Sequence, residues 1–536
     1  MKKVFWMLAL LVVIAFTACS VKVASSSRRT GADPLILRAH FVGSAQLFAG
    51  ADAAKLKAAW SQPSAAELRD ELLARVALVP AFWLGDALPK GSSSQTNLFR
   101  PLLDDVLANE SYVDAVATPE FVLAVKVSDA RARVWQTNLW QALVNWKLGQ
   151  PAAVKLANAA GFELKTAGLP GAFRCLRAGE WIVVSAGNSA TRETALLASL
   201  QSLGRPAKET GAWLDGEANL ARLDGWLPVL THFENLPVAR FAFSNRTDFV
   251  RTHATLTFPK AHGWKPEPWL IPSNQIHDPL VSFLAVRGIA PLFESYQPLA
   301  SLGYKPVPNQ IIGWGYNALP FQFNYAAPSR DVARQLQSLT PRLASLVLGP
   351  QLNDLNGTIA WDTNSQFAVW RGLPLAMPHV TTLRDSGHDF VMLAGFPSLR
   401  PTNNPPPGLY QALAGRNDLV AFDFEITASR LPHWRQFYQL AEIASRRPLT
   451  VTNTPALRWL VDFQGWLEKN PASSEAVTEV RANSPTQMTL TRKSAIGLTA
   501  GEMVTLTRWL ESTNFPAFGI FPPSSLRGFP GRRPAQ

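Results

Sequence analysis

"DPLILRAHFVGSAQLF" occupies residues 33–48, and "DPLVSFLAVRGIAPLF" occupies residues 278–293 of the same 536-residue chain. Aligned without a gap at an offset of 245 residues, the two segments share Asp, Pro, Leu, Gly, Ala, Leu and Phe. Further matches follow in the same order, first "GEWIVVSAG" from Gly179 with "GHDFVMLAG" from Gly387, then "LDGEANLARLDGW" from Leu214 with "FDFEITASRLPHW" from Phe422. Ordered self-similarity of this kind indicates an internal repeat. The sequence therefore predicts an ancient duplication of one fold.

The offset between the copies locates an insertion. It falls from 245 to about 201 near Phe121, so the first copy carries roughly 44 additional residues. This segment has apolar residues at helical spacing, preceded by a predicted capping box, Ser64-x-x-Glu67. We predict a first repeat at 33–258 with a helical insertion at about 50–120, a Pro/Trp-rich linker at 259–276, a second repeat at 277–515, and a disordered Pro/Gly/Arg tail at 516–536.

The fold class follows from the pattern within each copy. Strands that alternate polar and apolar residues are mixed with helices, without strict βαβ alternation. A helix after Ser128 places Trp135, Leu139, Ala142 and Trp146 on one face, as expected for a helix that packs on a sheet. The sequence predicts an α+β fold, consisting of two tandem related domains with largely antiparallel sheets flanked by helices.

The first twenty residues carry a targeting signal. Lys2 and Lys3 precede an uninterrupted apolar run over residues 4–16, which is shorter than the ~20 residues that span a bilayer. The run ends in Phe-Thr-Ala-Cys19 and resembles the lipobox of bacterial lipoproteins. The resemblance implies a signal peptide at 1–18, lipid attachment at Cys19 and a flexible tether at 19–32. It also implies export and an anchor in the cell envelope, at the outer membrane facing the periplasm; the alternative is ordinary cleavage and secretion.

Composition and motifs exclude several activities. The net charge of +12 is dispersed in short pairs such as Arg28-Arg29 and Arg446-Arg447, which argues against nucleic-acid binding. Signatures of phosphate, dinucleotide and zinc sites are absent from the sequence, so we predict no cofactor. A half glycine motif at Gly313 and Gly315 is interpreted as a turn. Cys175 follows a strand-like pattern and is interpreted as a small buried residue.

Two Asp-x-Glu pairs are the candidate metal ligands. Residues two apart on a strand share a face, so each pair presents two carboxylates together, which suits a cation or a division of acid and base roles. Because an arginine follows each pair at the same distance, a carboxylate–arginine contact that only supports the fold is the alternative. The residues are Asp215, Glu217 and Arg222 in the first copy, and Asp423, Glu425 and Arg430 in the second.

The segment "MPHVTTLRDSGHDF" holds the candidate catalytic residues. A histidine beside carboxylates can act as a general base. These residues are His379, Asp385, His388 and Asp389, of which His388 and Asp389 fall in a predicted turn after "RDSG", where polar residues are common in any case.

Three classes of function remain open from the sequence. The first is a non-enzymatic envelope lipoprotein that binds or scaffolds a lipid, a glycan or an envelope protein. The second is an extracytoplasmic hydrolase with its site near residues 379–389. The third is a protein of surface adhesion or assembly, which would expose an aromatic patch.

Overall fold

The computed structural model describes residues 35–84, 92–116, 120–165, 171–187, 190–201, 211–223, 233–246, 249–295, 307–317, 322–337, 358–362, 367–371, 377–395, 407–444 and 453–512, with positions 88, 230 and 515. The predicted signal peptide, the tether and the predicted tail all lie outside these residues. Within the described part, every pairing between strands is antiparallel, and helices accompany the strands, so the α+β class is confirmed.

The described residues of the first half form ten strands of a continuous sheet. They are β1 (Leu35–Phe41), β2 (Ser111–Val116), β3 (Phe121–Lys126), β4 (Ala152–Leu156), β5 (Ala159–Lys165), β6 (Ala172–Ala178), β7 (Trp181–Gly187), β8 (Ala212–Asn219), β9 (Val238–Arg246) and β10 (Phe249–Thr257). Their spatial order is β4-β5-β6-β7-β3-β2-β1-β8-β9-β10.

Ten further strands lie within the part of the second half that the structure describes. They are β11 (Leu280–Arg287), β12 (Gln310–Tyr316), β13 (Phe323–Ser329), β14 (Thr358–Asp362), β15 (Phe367–Arg371), β16 (His379–Asp385), β17 (His388–Ala394), β18 (Leu419–Ile426), β19 (Glu475–Ser484) and β20 (Gln487–Ser494). Their order, β14-β15-β16-β17-β13-β12-β11-β18-β19-β20, repeats that of the first half strand for strand.

β10 and β20 join the two halves into one sheet. Val250 pairs with Ser494, and Leu256 pairs with Met488. The sequence separation between positions 250 and 488 equals that between positions 256 and 494. If each residue of β10 is replaced by the residue of β20 at this separation, and the reverse, the same pairs are obtained. The two halves therefore meet through equivalent strands in a symmetric register.

The register also shows which residues of the two halves correspond. His40 of β1 pairs with Asp215 of β8. The residue that matches His40 at the 245-residue offset is Ala285 of β11, and Ala285 pairs with Phe422 of β18. Asp215 therefore corresponds to Phe422, and not to Asp423 as the sequence match suggested. A shift of one residue turns a side chain to the other face of a sheet. The two Asp-x-Glu pairs thus lie on opposite faces of their equivalent strands.

The helices fall into four groups along the chain. Before β2 lie α1 (Ser44–Leu47), α2 (Ala54–Trp60), α3 (Pro63–Val76), α4 (Val79–Leu84) and α5 (Thr96–Ala108); within the rest of the first half lie α6 (Asp129–Asn145) and α7 (Ala190–Gln201). The second half has α8 (Ala290–Ser295), α9 (Pro407–Leu413) and α10 (Thr427–Ala444), followed by α11 (Pro455–Lys469) and α12 (Ala500–Glu511). Helices α2–α5 lie in the segment at about 50–120 in which the sequence predicted a helical insertion.

Helix ends are set by local chemistry, although one predicted cap is wrong. Ser128 accepts a hydrogen bond from the backbone N–H of Arg131 at 3.4 Å, as expected for the N-cap of α6. Helix α3 instead begins at Pro63, whose fixed φ suits the first helical position. Ser64 is consequently inside the helix and makes no cap, and Glu67 forms an ion pair with Arg458 of α11 at 2.6 Å.

One large core lies on the face of the sheet that carries most of the helices. It contains Leu37 and Phe41 of β1 and Leu72 of α3. Trp459 of α11 and Met503 of α12 belong to the same core, so helices from both halves share it. Burial of this apolar surface, at roughly 25 cal/mol per Å², is the main force that stabilises the layer of helices on the sheet.

The opposite face of the second half is covered by the Pro-rich segment before β11. Trp269 packs on a second core that includes Phe283 and Trp314. Arg287 holds this segment in place, because its guanidinium donates to the carbonyls of Glu267 at 2.7 Å, Leu419 at 2.8 Å, Arg416 at 2.7 Å and Asn417 at 3.1 Å. The same group lies 4.3 Å from the ring centre of Trp269.

We expect Arg287→Lys to lower the free energy of unfolding by about 2 kcal/mol, because an ammonium lacks the planar fork and leaves buried carbonyls without donors. Chemical denaturation at pH 7 measures the loss. Arg251→Lys on β10 is the matched control, since Arg251 is exposed. Equal midpoints for the two variants would show that Arg287 does not anchor the segment.

Candidate functional site

Asp215 and Glu217, the first candidate metal pair, have protein partners. Asp215 lies 3.1 Å from Nδ1 of His40, and Glu110 lies 3.0 Å from Nε2 of the same ring. Glu217 accepts a hydrogen bond from Arg240 at 2.8 Å. No group of three or more His, Cys, Asp or Glu side chains within the described residues could hold a metal ion. The structural interpretation of this pair therefore accounts for its contacts.

His40 is buried and stacked on Tyr112, with ring centres 4.3 Å apart. Burial by itself would lower the pKa of His40, but the hydrogen bonds to Asp215 and Glu110 outweigh it, so the pKa is raised. The protonated ring therefore makes its full contribution to the free energy of unfolding at pH values below the ordinary histidine pKa of about 6.5. This contribution is lost as pH rises through the raised pKa of the folded state.

We expect His40→Gln to destabilise the protein by about 3 kcal/mol at pH 5.5, because two carboxylates lose their buried cationic partner. The difference from the wild type should shrink as pH rises above the raised pKa. Denaturation series from pH 5 to 9 measure it. The control is Arg38→Ala, which removes the partly exposed ion pair with Asp114 and costs at most about 1 kcal/mol. A pH-independent effect of His40→Gln would contradict this assignment.

The four candidate catalytic residues do not form one site. His379 and Asp385 begin and end β16, about 20 Å apart at the rise of a strand. Asp385 accepts hydrogen bonds from the backbone N–H and the side chain of Asn274 at 2.8 and 3.0 Å, which fastens the Pro-rich segment. His388 is exposed, and Asp389 lies 3.8 Å from Arg384.

The remaining details of this segment differ slightly from the prediction. The turn consists of Ser386 and Gly387, and both His388 and Asp389, which were predicted to lie in it, belong to β17. His379 is buried, and burial lowers its pKa. Cys175 lies fully buried on β6, as predicted, and burial raises the pKa of its thiol.

Asp423 and Glu425, the second carboxylate pair, line a cavity of about 160 Å³. Residues of β11, β12, β13 and β18 line it from the sheet, and residues of α10 and of the start of α12 line it from the helices. The lining residues are Ser282, Phe283, Leu284, Gly313, Trp314, Phe323, Tyr325, Asp423, Glu425, Arg430, Trp434, Thr499 and Gly501. Of these, the sequence singled out the carboxylates, Arg430 and Gly313, whereas it gave no signal for Tyr325, Trp434 or the start of α12.

Backbone proximity shapes this cavity. Gly313 and Gly315 lie on β12, so their interpretation as a turn is wrong. A Cβ atom on Gly313 would lie 2.9 Å from the ring of Tyr325, and one on Gly501 would lie 2.8 Å from the indole of Trp434. The missing side chains therefore let two aromatic rings lie directly against the backbone.

Glu425 is the buried member of the pair. Its Oε1 accepts hydrogen bonds from the backbone N–H of Ala500 at 2.7 Å, at the start of α12, and from the hydroxyl of Thr427 at 3.1 Å. Burial and then the nearby charge of Asp423 raise the pKa of Glu425 to about 7, although the Ala500 N–H favours the charged form. Glu425 therefore titrates close to neutral pH.

Asp423 is half-buried and makes no hydrogen bond or ion pair within the described part of the chain. Burial raises its pKa to about 6, against the opposing effects of Arg492 and Arg430. Arg492 is engaged elsewhere, since it donates to Glu502 at 2.7 Å and to Thr478 at 2.7 Å. Asp423 is thus a carboxylate acceptor with unused hydrogen-bonding capacity.

Arg430 is the cation that lines the cavity. Its Nη1 lies 3.4 Å from Nδ1 of His433, and its Nε is buried without a hydrogen-bond partner. Burial and the adjacent guanidinium lower the pKa of His433 to about 4, so this histidine is neutral at pH 7. A buried donor without a partner costs about 1–3 kcal/mol. The predicted carboxylate–arginine contact between Asp423 and Arg430 is not formed as a salt bridge.

A second cavity lies between the helices and the sheet of the first half. Its volume is about 50 Å³, and apolar side chains such as Leu102, Leu123 and Trp135 line it. This is well below the roughly 150 Å³ of a dry cavity that admits benzene. It is therefore a packing void in the core.

Comparison with known proteins places the chain in no family, since no family model, curated protein or solved structure matches it. Within the described residues, no helix has both the length and the apolar character needed to cross a membrane.

We expect Glu425→Gln to stabilise the protein at pH 8 by about 3 kcal/mol and to have little effect at pH 4.5. The raised pKa means that the folded state keeps a proton that the unfolded state has lost, so wild-type stability falls between about pH 4.5 and 7. Gln retains the oxygen that accepts from Ala500 and Thr427.

Denaturation curves across this pH range measure the effect. Glu479→Gln on β19 is the control of opposite sign, because the hydrogen bond from Arg416 lowers the pKa of Glu479 and its loss destabilises the protein at pH 8. An unchanged pH profile in Glu425→Gln would refute the neutral-range titration.

Proposed function

We propose that this chain is a non-enzymatic binding protein whose ligand occupies the cavity of Asp423, Glu425 and Arg430. The observation that carries the proposal is a polar cavity that contains an unpaired carboxylate and a buried guanidinium donor without a partner. Buried polar groups in proteins nearly always have hydrogen-bond partners. A bound polar ligand would supply them.

The size and lining of the cavity favour a small polar ligand over a lipid. A volume of about 160 Å³ is close to the roughly 150 Å³ of a cavity that admits a benzene ring. The apolar cavity of the first half, at about 50 Å³, is too small for an acyl chain. Of the three ligands predicted from the sequence, a glycan or a polar segment of an envelope partner fits better than a lipid.

We further propose that the protein is exported and anchored in the cell envelope through a lipid on Cys19. This rests on the sequence of residues 1–20 alone, all of which lie outside the described residues. A membrane partner is therefore part of the proposal, with secretion after ordinary cleavage as the alternative. Labelling with radioactive palmitate, which Cys19→Ser should abolish, distinguishes the two.

The duplication predicted from the sequence is proposed as the origin of the site. The repeated strand order and the symmetric β10–β20 ladder support it. Residues 42–110 connect β1 to β2, but only residues 288–309 connect β11 to β12. The shorter connection is not long enough to form helices equivalent to α1–α5. In the second half, the face of the sheet that these helices would cover is the one that carries Asp423 and Glu425.

A second candidate function is acid–base hydrolysis in the same cavity. Two carboxyl groups with pKa values of about 6 and 7 are favourably placed in pH to donate and accept protons. The geometry does not favour the original candidate site at residues 379–389, since His379 and Asp385 lie at opposite ends of β16, about 20 Å apart. Turnover with a bell-shaped pH profile that Asp423→Asn abolishes would replace the binding proposal. Surface adhesion is the third proposal and predicts binding to whole cells that does not depend on Arg430.

We expect native mass spectrometry of the full chain, purified without added ligand, to show a reproducible extra mass that denaturation releases. Arg430→Met should lose this mass, because the guanidinium donors are removed from the cavity. Arg222→Met is the matched control, as it changes the arginine that follows the first Asp-x-Glu pair.

An identical extra mass in Arg430→Met would place the ligand elsewhere. The absence of any extra mass, together with no thermal shift from sugars, amines or phosphate, would overturn the proposed function.

A further inference from the structure

We propose that the ligand of the Asp423–Arg430 cavity is an uncharged sugar ring, held by its hydroxyl groups between these two residues and by its C–H face on Trp434. This inference rests on the proposed function and specifies its ligand. It follows from three features of the cavity, which are the alternation of donors and acceptors, the aromatic lining, and the balance of charge.

The polar groups of the cavity match hydroxyl groups. Ionised Asp423 can only accept hydrogen bonds, whereas Arg430 can only donate them. A hydroxyl group does both, so two adjacent hydroxyls on one ring satisfy both residues at once. The hydroxyls of Ser282 and Thr499 also line the cavity and can serve in either role. An amine or a phosphate would satisfy one of the two charged residues and leave the other unpaired.

The aromatic lining provides a surface for the other face of such a ring. The side chains of Phe323, Tyr325 and Trp434 line the cavity, whereas the indole of Trp314 is buried in the second core on the opposite face of the sheet. The ring centres of Phe323 and Tyr325 are 5.6 Å apart. The π face of an aromatic ring is electron-rich and attracts groups with partial positive charge, which includes the C–H bonds on one side of a sugar. Three aromatic side chains beside polar groups suit a ligand that is apolar on its faces and polar at its edge.

The charges of the cavity nearly cancel. Arg430 contributes one positive charge, and His433 is neutral at pH 7 because burial and Arg430 lower its pKa to about 4. Asp423 is mostly ionised at pH 7, and Glu425 is partly protonated. An anion would face the carboxylates, and a cation would face the guanidinium at close range. An uncharged ligand avoids both repulsions.

The experiment is calorimetric titration of the full chain at pH 7 with D-glucose, D-galactose, N-acetyl-D-glucosamine and their β-linked disaccharides. Spermidine, L-lysine and inorganic phosphate are titrated in parallel. We expect at least one of the sugars to bind and the charged probes not to bind. Trp434→Leu and Asp423→Asn should each weaken sugar binding at least tenfold.

Two further variants separate a binding role from a folding role. Trp140→Leu is the control, because Trp140 is also a partly exposed indole, but it lies on α6 of the first half. It should bind sugar as the wild type does. Gly313→Ala keeps every functional group and places a methyl group 2.9 Å from the ring of Tyr325, so it should displace this ring and weaken binding, and the melting temperature of the same variant shows whether the fold is retained.

The possible results distinguish this inference from the proposed function. Sugar binding that is lost in Trp434→Leu and Gly313→Ala but kept in Trp140→Leu supports it. Binding of spermidine, lysine or phosphate that depends on Arg430 or Asp423, without sugar binding, overturns the sugar assignment and leaves the binding cavity in place. Sugar binding that no cavity variant affects overturns the placement of the ligand. Failure of all probes, with no co-purifying mass, overturns both.

Discussion

The antiparallel ladder between β10 and β20 is the contact on which the architecture depends. Each half ends its sheet with an edge strand, and an edge strand exposes unpaired N–H and C=O groups that invite association. Pairing the two edges with each other removes both. It also fixes the relative position of the halves, so that α3 from the first and α11 from the second pack into one core. The single sheet is therefore the frame that positions every other element.

Within that frame, the two halves differ in what lies on equivalent surfaces. In the first half, helices α1–α5 belong to the core that contains Leu37 and Ala39 of β1. In the second half, the equivalent positions, Ser282 and Leu284, line the polar cavity. The one-residue displacement between the Asp-x-Glu pairs places Asp423 and Glu425 on this face, whereas Asp215 and Glu217 point to the other. The same short motif thus supports the fold in one half and lines a cavity in the other.

The energetics of the two carboxylate sites follow from their partners. Asp215 shares a buried histidine with Glu110, so that charge is compensated where it is buried. Asp423 and Glu425 are instead two acids close to each other, and burial raises the pKa of both. This pair of carboxyl groups and the arginine donor without a hydrogen-bond partner lower the free energy of unfolding at neutral pH. Costs of this kind are commonly found at functional sites.

The sequence by itself determined the α+β class, the repeated segments, the helix that follows Ser128, and the buried position of Cys175, because these depend on local periodicity and on short-range capping. It also identified the carboxylates and Arg430, but it aligned the two Asp-x-Glu pairs one residue out and grouped His379 with Asp385 and His388. Only the tertiary structure decided these points. Which residues face each other across a sheet depends on register, and register is fixed by pairing between strands such as β11 and β18, which are more than one hundred residues apart. Trp434, Tyr325 and the start of α12 join the cavity for the same reason, since long-range packing brings them together and no local pattern records it.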